Sequence, residues 1–326
     1  MEVILLHKNN ICNSILQSIG KTPIIKLSRL CADMPATVFA KAEFLNPSGS
    51  MKDRIALKII EDAEQSGCLQ PGNTVVEITS GNTGISLAMV CAVKGYKFIA
   101  VMSAGNSPER KMILEALGAT VKLVPQHPGG KPGQVTGEDL KLVEESGRKL
   151  AKELNAFLSD QFNNFSNIAA HIQTTGKEIW EEMNGEIDIF LDVVGTAGTF
   201  IGISSALKNF NPRIQCLAVE PSTAPILAGM PIITPEHKLQ GSSYAMIPSL
   251  WNPSYCDGYL TVSDQEAIKT AQMLATKEGI LVGYTAGGNV AAAIKLAQTA
   301  APGTRIITIL CDNGMKYLST DLFKAH

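Results

Sequence analysis

No Cys-x-x-Cys pair occurs in the 326 residues. The seven cysteines (Cys12, Cys31, Cys68, Cys91, Cys216, Cys256 and Cys311) are dispersed and odd in number. Such a set argues against a disulfide frame or a zinc knuckle and for reduced thiols of a cytoplasmic protein. Cys91 and Cys216 fall in apolar runs and read as packing residues. The five histidines lack metal-ligand spacing. Charge of one sign is also lacking. The formal net charge is -2, so the basic footprint of a nucleic-acid binder is absent. No apolar run can span a bilayer, because "GISLAMVCAVKGYKFIAVM" is broken by Lys94 and Lys97. "MEVILLHKNN" has too short an apolar core for a secretory signal. Internal repeats and low-complexity linkers are missing too.

What is present is enough apolar residue, 45 %, to build a large core. At about 150 residues per domain the length implies two domains. Strand-like and helix-like segments alternate. Strands are expected at Thr37–Phe44, Thr74–Ile78, Lys97–Met102, Thr120–Val124, Ile187–Gly195, Arg213–Glu220 and Arg305–Leu310. Helices are expected after Lys52, over Asn82–Lys94, in "SPERKMILEALG" up to Gly118, and after a cap at Thr136. Ser263 with Glu266 makes a capping box before another helix. This alternation implies an α/β protein with mostly parallel sheets and helices on both faces. Pro221–Tyr259, with six prolines, has the weakest pattern and reads as irregular.

Four strand-to-helix turns carry polar or small residues, and such turns are where α/β proteins bind ligands. "NPSGSMKDR" places Lys52 just as a helix begins. An isolated Gly-Ser-x-Lys is most simply an ordinary first turn. Thr79-Ser80-Gly81-Asn82-Thr83-Gly84 offers hydroxyls, an amide and backbone N–H groups suited to a carboxylate, although these are also capping residues. Gly195-Thr196-Ala197-Gly198-Thr199 suits a phosphate. With Gly202 and Glu220 it also admits a dinucleotide-binding reading. Thr285 lies in "GYTAGG", before an apolar helix. Together, a lysine, a carboxylate nest, a phosphate nest and a further hydroxyl are what pyridoxal phosphate (PLP) and an amino acid require.

On these motifs the chain resembles the cysteine synthase and cystathionine β-synthase family of fold-type II PLP enzymes. "PSGSMKDR", "TSGNTG", "DQFNNFSNIAAHIQTTGKEIW", "GTAGT" and "GYTAGG" match the family in order. The 30-residue step from Lys52 to Asn82 fits as well. The resemblance implies two three-layer domains with the cofactor in the cleft between them. The smaller, mobile one spans 46–164, and the larger comprises 1–45 plus 165–326. It implies Lys52 as the Schiff-base lysine and the base for the α-proton. It implies Gly195, Thr196, Ala197, Gly198 and Thr199 around the phosphate, although glycine is usual at position 197. Asn82 would meet the ring hydroxyl. Thr79, Ser80, Gly81, Asn82, Thr83 and Gln161 would grip the substrate carboxylate. Thr285 would face the pyridine nitrogen, which a hydroxyl leaves largely unprotonated. Such a ring is a weaker electron sink and favours elimination and replacement through an aminoacrylate over transamination.

The default reaction is then O-acetyl-L-serine plus sulfide giving L-cysteine plus acetate, in a homodimer. The family's Gly-Ile-Gly-Ala loop is replaced by Gly241-Ser242-Ser243-Tyr244, near the expected substrate entrance. The added hydroxyls either cap a turn or alter the second substrate or leaving group. Pro125–Glu138 is also longer than usual. A cystathionine or 2,3-diaminopropionate-type synthase, an O-phosphoserine user and a cysteine or serine β-lyase therefore stay open.

Overall fold

The protein is described by a computed structural model covering residues 11–79, 81–106, 108–128, 135, 137–239, 241–242 and 245–324. Ser80, Thr136, Ser243 and Tyr244, all singled out in the sequence, lie outside the described residues.

The chain opens with β1 (Ile24–Lys26) and β2 (Thr37–Lys41), which pair antiparallel. Next come α1 (Lys52–Gln65), β3 (Thr74–Ile78), α2 (Asn82–Lys94), β4 (Lys97–Ser103), α3 (Pro108–Ala116), β5 (Thr120–Val124), α4 (Gly137–Glu153) and β6 (Phe157–Leu158). Strands β5-β4-β3-β6, in that order, form a four-stranded parallel sheet. The chain continues through α5 (Ser166–His171), α6 (Lys177–Glu182), β7 (Ile189–Val193), α7 (Gly198–Phe210) and β8 (Gln215–Pro221). It finishes with β9 (Gly258–Val262), α8 (Asp264–Met273), α9 (Tyr284–Ala297) and β10 (Arg305–Ile309). The second sheet runs β1-β2-β10-β7-β8-β9 and is parallel except at β1.

The sequence explains these elements. β7 is buried at all five positions, as a central parallel strand must be, and its residues are correspondingly apolar except Asp192. α1 is amphipathic and turns Ile55, Ile59 and Ile60 inward. α2, α7 and α9 are buried almost all round, so their sequences carry little periodicity. Ser263 and Glu266 form the reciprocal capping box at the start of α8. Between β8 and β9 the only regular element among the described residues is a short turn of helix at Pro253–Tyr255.

One expectation changes. The strand read over Thr37–Phe44 stops at Lys41, and Glu43–Leu45 winds into a 3₁₀ turn. Glu43 is fully buried and turns inward to meet Arg54, which grips it with two nitrogens at 2.7 Å each. Thr22 and Asn46 also donate to Glu43. Arg54 reaches Glu178 on α6 at 2.6 Å, and buried Lys41 pairs with Glu178 and Glu182. This buried ion network ties α1, which begins at Lys52, to the end of β2 and to α6.

Candidate active site

Lys52 opens α1 at the end of a turn segment that is stitched to the exit of β10. Met51 N–H donates to Cys311 O, Asn313 N–H donates to Gly49 O, and Ser50 bridges Asp312. Gly49 takes φ +79, a conformation that glycine adopts without strain. The next residue, Asp53, accepts from Ser48 N–H and from the Ser86 hydroxyl, locking α1 to α2. Two cavities, of about 300 Å³ and about 900 Å³, share Met51, Lys52, Thr196, Gly241 and Thr285 in their walls. Burial pulls the Lys52 amine below the usual lysine range, while the Asp192 and Asp312 carboxyls push it back up. The free-amine form is thereby brought nearer to neutral pH, as nucleophilic work requires.

The turn after β3 is built from its own hydroxyls. Thr79 Oγ1 accepts from the N–H groups of Gly81 and Gly84, at 3.3 and 3.0 Å. A side chain on Gly84 would strike Thr79 Cγ2 at 2.5 Å, so only glycine fits there. Thr83 donates to Gln161 Oε1 at 2.6 Å. Gln161 in turn donates through its backbone and side-chain N–H groups to Glu77, a fully buried carboxyl on β3 that also accepts from Ser159 at 2.5 Å. Burial raises Glu77 to about 8 despite these donors. Asn82 is fastened at both ends of its amide. Lys316 donates to its oxygen at 2.7 Å, and its nitrogen donates to Asp312 at 2.7 Å. Tyr317 holds Asp312 with a hydrogen bond of 2.6 Å.

The second turn follows β7. Gly195 packs so tightly that a Cβ there would meet Gly241 O at 2.5 Å. Ala197 adopts φ +70, left-handed for a non-glycine residue, where an L side chain costs about 1–2 kcal/mol. Asn167 ties this turn to the other one: its Nδ2 donates to Thr196 Oγ1 and to Gln161 O. Thr199 meets His171 Nε2 at 3.2 Å, and Thr175 meets the opposite ring nitrogen. Burial, with the Lys52 and Arg54 cations, holds His171 well below its ordinary value, so the ring is neutral.

The structure therefore brings Lys52, Gln161, Thr285 and most described residues of both turns to one cleft, while Gly84 and Gly198 do not line it. Gly241 takes φ +83, and the Ser242 hydroxyl caps its own turn by donating to Leu239 O at 2.7 Å. Glu220, which a dinucleotide-binding reading required free, spends its carboxylate on the N–H groups of Leu227 and Ala228. Asp192, Arg110, Asp312, Lys316 and Tyr317 line the cavities but were not found in the sequence. A charged residue in the otherwise apolar "IFLDVVG" was the one available signal. No helix among the described residues is long and apolar enough to cross a membrane, and those residues hold no cluster of metal-ligating side chains.

Comparison with known proteins agrees with this geometry. The cysteine synthase of Staphylococcus aureus is 40% identical over 312 residues, covering 95% of this chain and 97% of the relative. An O-ureido-L-serine synthase of Streptomyces lavendulae is 39% identical over 312 residues, 95% of this chain and 92% of the relative. The solved cysteine synthase of Entamoeba histolytica superposes with a TM-score of 0.90 at 34% identity, covering all of this chain and 95% of that one. The profile of pyridoxal-phosphate dependent enzymes matches residues 15–312, and the chain belongs to that family.

Proposed function

We propose that the protein is a β-replacement enzyme acting on a β-substituted L-serine, with O-acetyl-L-serine and sulfide as substrates and L-cysteine and acetate as products. The observation that carries this reading is the convergence of a half-buried lysine, a glycine- and threonine-rich turn at the start of α7 and a hydroxyl-rich turn at the start of α2 on one cleft. The residues suit PLP. Gly195 leaves no room for a side chain against Gly241, the turn's N–H groups open α7, and the Lys52 amine lines the same cavity. When bound, PLP would supply an electron sink for the pair left at Cα once the proton is removed.

Lys52 would hold the cofactor covalently, then take the proton from the substrate Cα with Nζ. Gly195, Thr196, Ala197, Gly198 and Thr199 would hold the phosphate, with neutral His171 and Asn167 orienting Thr199 and Thr196. Thr79, Ser80, Gly81, Asn82, Thr83 and Gln161 would hold the substrate carboxylate. Glu77 fixes which end of the Gln161 amide is presented. Asn82 would meet the ring hydroxyl, and Thr285 the ring nitrogen. Gly241 and Ser242, with Ser243 and Tyr244, would border the entrance. The unit over 46–164, which carries the four-stranded sheet, would close over the amino acid against the rest of the chain. The working form would be a cytoplasmic homodimer.

The likeness to an O-ureido-L-serine synthase favours a second reading, in which the same scaffold completes the reaction with a different nucleophile. The test incubates the purified, PLP-loaded protein with O-acetylserine, O-phosphoserine, serine and cysteine in turn, following cofactor absorbance. Sulfide is then added, and amino-acid product is separated from pyruvate. O-acetylserine giving cysteine upholds the reading. Pyruvate as the main product would make the protein a lyase, and no spectral response to any of the four would refute β-substituted serine as the substrate class.

A further inference from the structure

Asp192 is the one charged residue of β7, and it sits at the floor of the cofactor cavity. Its surface is 1 % exposed. One oxygen is spoken for: Asn289 Nδ2 donates to Oδ1 at 2.8 Å. Asn289 itself is immobilised. Its Oδ1 accepts from Val193 N–H at 2.6 Å, and its Nδ2 also reaches Ile309 O at 2.9 Å and lies 3.4 Å from Cys311 Sγ. The Asp192 carboxyl is therefore held in one orientation. Its second oxygen, Oδ2, is buried and has no hydrogen-bond partner among the described residues. A buried acceptor without a donor is costly, and such atoms in native proteins call for a reason.

The placement supplies one. Asn289 stands four residues after Thr285 on α9, so the two occupy the same face, one turn apart. Asp192 and Thr285 line the same cavity, with Lys52 opposite on α1. We propose that Asp192, through its free Oδ2, sets the protonation of the ring nitrogen of the bound cofactor, alongside Thr285. This rests on the reading that PLP occupies the cavity with its nitrogen toward α9.

The charged and titratable groups around Asp192 accommodate that role. Lys52 on α1 attracts it directly while its amine is free and charged. Cys311, beyond β10, is held as a neutral thiol by its burial and by Asp192 and Asp312. Asp312 is engaged by Asn82 and Tyr317, and neutral His171 lies toward the phosphate turn. Burial raises Asp192 to about 7, against the hydrogen bond from Asn289 and the attraction of Lys52. A carboxyl poised there can give or withhold a proton in the physiological range, which a hydroxyl alone cannot do. The ring nitrogen would then be protonated more than Thr285 by itself allows. The cofactor would be a stronger electron sink, and transamination, which leaves a keto acid still carrying its β-substituent, would be more accessible.

The test uses the PLP-loaded protein and its Asp192→Asn variant, which keeps an acceptor for Asn289. Absorbance and fluorescence of the bound cofactor are followed without substrate from about pH 5.5 to 9, the range in which a carboxyl raised this far titrates. The wild-type protein should show a spectral transition that the variant loses or moves by more than about one pH unit. The share of transamination product, the keto acid that keeps its β-substituent, should fall about threefold or more, as a weaker electron sink dictates. Should Asp192→Asn fold poorly, Asp192→Ser serves in its place. A purely structural Asp192 would lower Tm and leave the spectral titration where it was, and that result overturns the proposal. Failure of the wild-type protein to take up PLP would instead refute the functional reading beneath it.

Discussion

Glu77 offers the sharpest quantitative check on the substrate side of the cleft. It is 1 % exposed, and burial lifts its carboxyl from 4.5 to about 8. The folded protein therefore keeps a proton here that the unfolded chain has released. Stability from this group is fully present below the unfolded value and is lost as pH climbs toward the folded one. Each pH unit in that window removes about 1.4 kcal/mol, so the loss between pH 5 and 8 is on the order of 4 kcal/mol. Glu77→Gln carries the neutral form at every pH, and its amide oxygen can still accept from Ser159 and Gln161. The assay is urea denaturation of the PLP-loaded wild type and variant across this range. The wild type should lose stability relative to Glu77→Gln as pH rises. A difference that stays level within about 1 kcal/mol across the window would refute the claim that the buried acid is held neutral.

Two further outcomes follow from the geometry. Arg54→Met leaves buried Glu43 with only Thr22 and Asn46 as donors. Stability should fall by about 3–5 kcal/mol, and adding Glu43→Gln should return much of it. At roughly 2 °C per kcal/mol for a chain this long, thermal melting would drop by about 6–10 °C. Melting within about 2 °C of wild type would show that the network carries little stability. Gly84→Ala pushes a methyl into Thr79, whose hydroxyl organises the turn after β3. Steady-state kinetics should show KM for the amino-acid substrate raised about tenfold while cofactor occupancy by absorbance is unchanged. An unaltered KM would remove Thr79 from the binding account.

The order of the main strands and helices was legible because each is bounded by glycines, prolines or capping residues. The turns before α1 and α7 were legible as strand-to-helix junctions because small and polar residues cluster there. β1 and β6 were missed: at three and two residues they are too short to show a period, and they exist only because a neighbouring strand offers hydrogen-bonding groups. β9 hid behind the proline-rich stretch that precedes it. The fastening of Asn82 by Lys316 and Asp312 could not be read either, since 234 and 230 residues separate them along the chain. The same holds for the clasp of Asn289 on Asp192, two residues 97 apart that meet only once α9 covers β7. Ser242 drew attention through its place in an altered loop, and its hydroxyl donates to Leu239 O while the residue lines the cavity.

The stitching of residues 49–51 to residues 311–313 has a temporal consequence. A ribosome delivers the lysine segment early and its anchoring partner almost last. During synthesis the reactive amine thus lacks a settled position until nearly the whole polypeptide has emerged. A nascent chain halted before position 311 would lack the backbone partners that hold the lysine segment in place.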